Sequence, residues 1–179
     1  MSLKQIGILS LLIVLAAQVN LDVFTNNFLV SIGILLFPVF VYLFQEIPLI
    51  PITLLSGAGV FLSRILIYGI QSGFHTDNVI NHFPEFFFYL TYGIASYFYF
   101  KHHDYKLQGK RWPAILLVMD YCANLVELLF RLGTGAFALN MQLNIIVVAF
   151  VRTVILWAVI RGLGHYKFTL LNQEHANRY

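Results

Sequence analysis

The sequence predicts an all-α, polytopic membrane protein of six transmembrane helices with both termini in the cytoplasm. Three observations lead there. The chain of 179 residues is 59% hydrophobic and only 11% charged, more apolar surface than a soluble domain of this size can bury. Six apolar stretches approach the length needed to cross about 30 Å of hydrocarbon. The Lys and Arg residues fall on alternate connectors, and their bias sets the orientation.

The stretches are Gln5–Val19, Phe28–Phe44, Pro51–Ile70, Phe83–Phe100, Trp112–Phe130 and Ile145–Leu163. The first is expected to be a retained helix, although Lys4, the apolar run and Val14-Leu15-Ala16 also fit a signal peptide cleaved after Ala16. Pro38 lies inside the second and should kink it by removing one helical hydrogen bond. Pro48 and Pro51 are expected to form a stiff turn before the third. Gly57, Gly59 and Ser63 in the third permit close helix approach. Pro84 is placed in the first turn of the fourth, where proline is tolerated, with Glu85 suited to the helix N-terminus. The connector at 101–111 holds Lys101, Lys106, Lys110 and Arg111, whereas those at 20–27 and 71–82 hold neither Lys nor Arg. That puts 101–111 inside, flanked by Tyr97, Tyr99 and Trp112 as an interfacial aromatic belt.

The fifth stretch carries the most informative pattern. Asp120, Asn124, Glu127 and Arg131 stand at i, i+4, i+7 and i+11, within about 60° of one helix face. Ionisable groups are costly in hydrocarbon, so they face a bundle interior or a wet cavity and mark function. With alternating helix directions, Arg64, Glu85, Asp120, Glu127, Arg131 and Arg152 all collect in the outer half. Two readings stand beside each other. Three acids and three bases can pair and fix helix register; alternatively, they line a ligand pocket open to the outside, with Arg offering planar donors to a carboxylate or phosphate. The ligand-binding candidates are Arg64, Tyr68, Glu85, Asp120, Asn124, Glu127 and Arg152, with Tyr89 and Tyr92 as further lining. Arg131 is four residues from Glu127 and reads as a local partner.

No metal site or cofactor is expected. His75, Asp77 and His82 in the outer connector match no closed zinc pattern, and a solvated loop or pocket lid is the simpler reading. His102, His103 and Asp104 belong to a headgroup-facing surface. The single cysteine, Cys122, excludes a disulfide framework and reads as a packed, inert thiol. GxxxxGK[ST], HExxH, CxxC and GxSxG are all absent, so these residues do not look like an enzyme.

Residues 1–163 read as one six-helix sensor or ligand-binding domain, and 164–179 as the start of a cytoplasmic signalling helix. In that tail Phe168, Leu171, His175 and Tyr179 recur at helical spacing without a stop signal.

The stretches Asn124-Leu-Val-Glu-Leu-Leu-Phe-Arg131 and Gln173-Glu-His-Ala-Asn-Arg-Tyr179, with six spans in this length, resemble the membrane sensor modules of some Gram-positive histidine kinases. These share the S-component fold of the vitamin-binding subunits of energy-coupling-factor transporters. The resemblance implies an S-component-like bundle in the plasma membrane, in contact with lipid and not with nucleic acid. It would bind an unidentified small molecule from the extracellular side and relay this through span six to a kinase region in cis, as a homodimer. A transporter subunit is the alternative. However, docking alanines four apart on the first helix are missing: Ala16 is followed by Asn20 and Ala17 by Leu21. The rod-shape membrane protein MreD offers a third reading, a membrane scaffold.

Overall fold

The computed structural model describes residues 2–22, 29–44, 47–102, 112–134 and 141–165. Six helices carry the described part: α1 Leu3–Ala17, α2 Ile32–Leu43, α3 Leu49–Ser72, α4 Thr76–His102, α5 Trp112–Gly133 and α6 Met141–His165. A short antiparallel ribbon, β1 Asn20–Asp22 with β2 Leu29–Ser31, joins α1 to α2.

The helices close into a ring. Going round it, α1 packs on α3, α3 on α4, α4 on α5, α5 on α6, α6 on α2, and α2 returns to α1. Small residues set the tightest crossings. A Cβ on Gly59 would lie 2.5 Å from Val14 of α1, and one on Gly57 3.1 Å from the Phe86 carbonyl of α4. Gly93 of α4 receives the Thr53 side chain of α3, and Gly33 of α2 lies against Ala17 of α1. The expected close approach along α3 is thus used on two faces, toward α1 through Gly59 and toward α4 through Gly57. Successive contacts rise together along α1 and α3 (Ser10 with Ile52, Gln18 with Ser63, Ala17 with Arg64), so these two helices run parallel. α3 and α4 form an antiparallel hairpin around Gly73, whose φ of 88° suits glycine.

Several boundaries differ from expectation. α4 starts at Thr76, with Asp77 in its first turn, so most of the outer connector is helix and only residues 73–75 turn the chain. Pro84 therefore lies inside α4, two turns from its start, not in the first turn. Pro48 is the N-cap of α3 and Pro51 already belongs to its first turn, so the Pro48–Pro51 segment is a helix start rather than a turn. Pro38 lies inside α2 as expected. The first apolar stretch is helix as far as Ala17, and the second is part strand, part helix: α1 and α2 cover only about 22 and 18 Å at 1.5 Å per residue. The alternation of Asn20-Leu21-Asp22 and Leu29-Val30-Ser31 is too brief for a periodicity reading to separate it from a loop.

Among the described residues, two helices, Leu49–Ser72 and Pro113–Gly133, are long and apolar enough to cross a membrane; α1 and most of α2 are apolar but shorter. Only 28% and 33% of the apolar windows of α3 and α5 are buried inside the protein. Leu62, Leu66 and Ile70 of α3, Val118 and Leu129 of α5, and Phe150 and Val154 of α6 point outward. A surface of this kind is a liability in water and ordinary against lipid, which points to a membrane protein. Cys122 is on the outward face of α5, correcting the expectation of a packed thiol.

These crossings make a prediction. Gly93→Ala must displace Thr53 and should cost about 1–3 kcal/mol. Gly7→Ala, with open space around it, should be neutral or gain up to about 1 kcal/mol of helix propensity. Thermal unfolding of the two variants in the same detergent checks the contrast.

Candidate functional site

The six ionisable residues pair with one another, on two levels of the bundle. The deeper level is a triad at mid-height between α5 and α6. Arg152 Nη1 lies 3.3 Å from Asp120 Oδ1, and Arg152 Nη2 donates to Asn124 Oδ1 at 3.1 Å. Asn124 Nδ2 in turn donates to Asp120 Oδ2 at 3.1 Å and to the Asp120 carbonyl at 2.6 Å. The i, i+4 spacing of Asp120 and Asn124 stacks both on the face that α6 covers. All three are buried, with Asp120 2%, Asn124 7% and Arg152 4% exposed. The guanidinium also stands 5.3 Å from the centre of the Phe88 ring on α4, in cation–π range. Tyr92, one turn along α4, packs edge-on against Phe37 of α2 at 5.7 Å and closes the ring interior beside the triad. Two polar atoms here, Arg152 Nε and Tyr92 Oη, are buried without a hydrogen-bond partner among the described residues.

The second level is the end of the bundle where α3 turns into α4. Arg64 Nη2 donates to the Ala17 carbonyl at 2.9 Å, and Arg64 Nε lies 3.6 Å from Glu85 Oε2. Glu85 Oε1 is 2.9 Å from His82 Nδ1, and the His82 ring stacks on Tyr68 at 4.7 Å. Beside them, Arg131 binds Glu127 at 2.7 Å and donates to the Asn81 carbonyl at 3.2 Å. Tyr89 stands between the levels, in electrostatic reach of Glu85 and Arg64 on one side and Arg152 on the other.

Arg64 is first a helix cap. An α-helix leaves its last four carbonyls without helical partners, and those of α1 end inside the bundle. Each finds a donor. The Val14 carbonyl accepts from Gln18 Nε2 at 3.0 Å, and that of Leu15 from the Gln18 amide at 3.2 Å. The Ala16 carbonyl accepts from the Val19 amide at 3.1 Å. The Ala17 carbonyl accepts from Arg64 and, at 3.3 Å, from Ser31 Oγ. Gln18 Nε2 also donates to Ser63 Oγ at 2.7 Å, fastening the same terminus to α3. A cation at a helix C-terminus is favoured by the helix dipole as well.

The expected pocket residues therefore separate. Asp120, Asn124 and Arg152 come together in the triad. Arg64, Tyr68 and Glu85 come together at the rim, and Glu127 is engaged by Arg131. The six charges occupy two levels rather than one outer pocket, because Arg152 reaches α5 at the height of Asp120 while Arg64 is drawn to the α1 terminus. His75 Nε2 meets the Ser72 carbonyl at 3.1 Å, a different partner from that of His82. No group of three or more His, Cys, Asp or Glu suited to a metal occurs among the described residues. The connector 103–111 and the tail 166–179, with Phe168, Leu171, His175 and Tyr179, lie outside the described residues. Sequence reasoning missed Gln18 and the pairing of His82 with Tyr68. Gln18 was visible as a lone amide closing an apolar run, but its role depends on α1 ending there. Comparison with protein-family models, with curated proteins and with solved structures gives no match.

Capping makes Arg64 measurable without any ligand. Arg64→Met should destabilise the protein by about 2–3 kcal/mol, through loss of a charge-assisted hydrogen bond and of the partner of Glu85. Gln18→Ala should cost about 1–2 kcal/mol. Thermal unfolding reads both; a stability-neutral Arg64→Met contradicts the capping role.

Proposed function

We propose that the chain is a six-span sensory domain of the plasma membrane, both termini cytoplasmic, that responds to a small polar molecule and signals through α6 to a kinase region in cis. The observation that carries the reading is the triad. It is a buried, charged link between α5 and α6, and among the described residues Arg152 Nε within it and Tyr92 Oη beside it have no hydrogen-bond partner. A molecule that accepts from Arg152 Nε and bonds Tyr92 Oη competes with Asp120 and Asn124 for the guanidinium, and so shifts α6 against α5. Small shifts of packed helices suffice to bias a bistable output. The outward apolar faces of α3, α5 and α6 support lipid contact.

A scaffold reading, of the MreD kind, has one observation in its favour: all six interior charges already have partners within the chain. The two readings separate in a thermal-shift screen of the protein in lipid nanodiscs against small carboxylates, phosphates and neutral heterocycles. The sensory reading expects a stabilising compound whose shift falls by about half or more in Tyr92→Phe, a variant that keeps the buried ring. A silent screen favours the scaffold. A transporter subunit would instead co-purify with an ATPase module. The topology is checked separately with single cysteines in a Cys122→Ser background. A cysteine at His75 should react with an impermeant maleimide from outside intact cells and one at His103 only after permeabilisation. The reverse pattern, or reaction of both from one side, would overturn the span order.

A further inference from the structure

We infer that the rim cluster of Tyr68, His82, Glu85 and Arg64 is a proton-responsive clasp between α3 and α4. It goes beyond the ligand reading: it uses the proposed outward placement of the α3–α4 turn but needs no bound molecule. The clasp has two ties across the helix pair. One is the ion pair from Arg64 of α3 to Glu85 of α4, at 3.6 Å. The other is the stack of Tyr68 of α3 on His82 of α4, at 4.7 Å between ring centres and 24° between planes. Glu85 joins them, because its second oxygen lies 2.9 Å from His82 Nδ1.

Imidazole is the side chain that ordinarily changes charge between pH 5 and 8. The neutral ring donates Nδ1–H to Glu85. Once protonated, it binds that carboxylate as a cation, on the oxygen that Arg64 does not contact. The protonated ring simultaneously becomes a cation lying on the face of Tyr68, which strengthens the stack. Acid thus tightens the α3–α4 clasp through both neighbours of His82, while Arg64 stays on the Ala17 carbonyl that ends α1.

The charged groups facing the cluster among the described residues are few. Arg64 comes from α3. From α5, Arg131 reaches the Asn81 carbonyl next to His82 and is itself neutralised by Glu127. On α4, Asp77 is exposed, one turn before Asn81. His82 is 16% exposed and Glu85 24%, enough for protons to reach them and too little for bulk water to screen the contacts away.

The test is the pH dependence of variant penalties, read as melting temperatures of the full chain in nanodiscs at pH 5.5 and pH 8. Tyr68→Leu should lower the melting temperature more at pH 5.5 than at pH 8, by about 2–4 °C. Glu85→Gln removes the anion that favours the protonated ring, so it should likewise cost more at pH 5.5 than at pH 8. In a His82→Gln background both penalties should become independent of pH, whereas in His75→Gln their pH dependence should persist. Penalties equal at the two pH values, or a pH dependence that survives His82→Gln, overturns the clasp. If Glu85→Gln does not fold, Tyr68→Leu with and without His82→Gln decides alone. A silent ligand screen leaves this outcome untouched, so failure of the sensory reading and failure of the clasp are separately visible.

Discussion

The ion pair between Asp120 and Arg152 is the interaction on which the rest of the bundle depends. Each charge is buried to a few per cent exposure, and either alone would be costly in an interior of Leu, Ile and Phe side chains. Asn124 completes the pair by bonding both partners, so the triad fixes the rotation of α5 about its axis and the height of α6 against it. With α5 and α6 set, α6 closes the ring on α2, and Phe37 and Tyr92 fill the interior between α2 and α4. Removing one partner is expected to cost about 3–5 kcal/mol, a large share of a typical folding free energy, whereas removing both charges together is far milder.

The same scarcity of water explains the upper end of the bundle. α1 stops after Ala17 inside the structure, where free carbonyls would otherwise lack donors. Gln18, Val19, Ser31 and Arg64 supply them, and Glu85 balances the arginine. The arginine is therefore occupied, and chemistry at this end falls to the groups around it, His82 and Tyr68. At the triad below, Arg152 Nε and the neighbouring Tyr92 Oη have no hydrogen-bond partner among the described residues. The two levels differ in kind: one is a helix terminus with a titratable clasp, the other a desolvated link between two helices. Tyr89 stands between them, within reach of both fields.

Much of this was legible from the sequence. Six helices follow from six apolar stretches, and the polar stripe on α5 is read directly from i, i+4, i+7 and i+11. The separation of that stripe was also partly legible, since Glu127 and Arg131 are four apart and find each other. Other features depend on tertiary contacts. Nothing local marks Gly93 as the seat of Thr53, or Arg64 as the cap of a helix 47 residues earlier. The start of α4 was misplaced because Thr76–His82 is polar enough to read as a loop, yet Asp77 and the glycine turn at Gly73 are helix boundary signals that place it seven residues earlier. The ribbon after α1 escaped because three residues per strand carry too little period to register.

If the triad is one coupled unit joining α5 to α6, a double-mutant cycle on Asp120 and Arg152 will show it. Asp120→Leu, Arg152→Met and the double variant are compared with the parent by thermal unfolding in nanodiscs. A coupled triad gives severe loss in each single variant and substantial recovery in the double, with a coupling energy of about 2 kcal/mol or more. Single variants that are near neutral, or a double variant whose loss is the sum of the two, would contradict it.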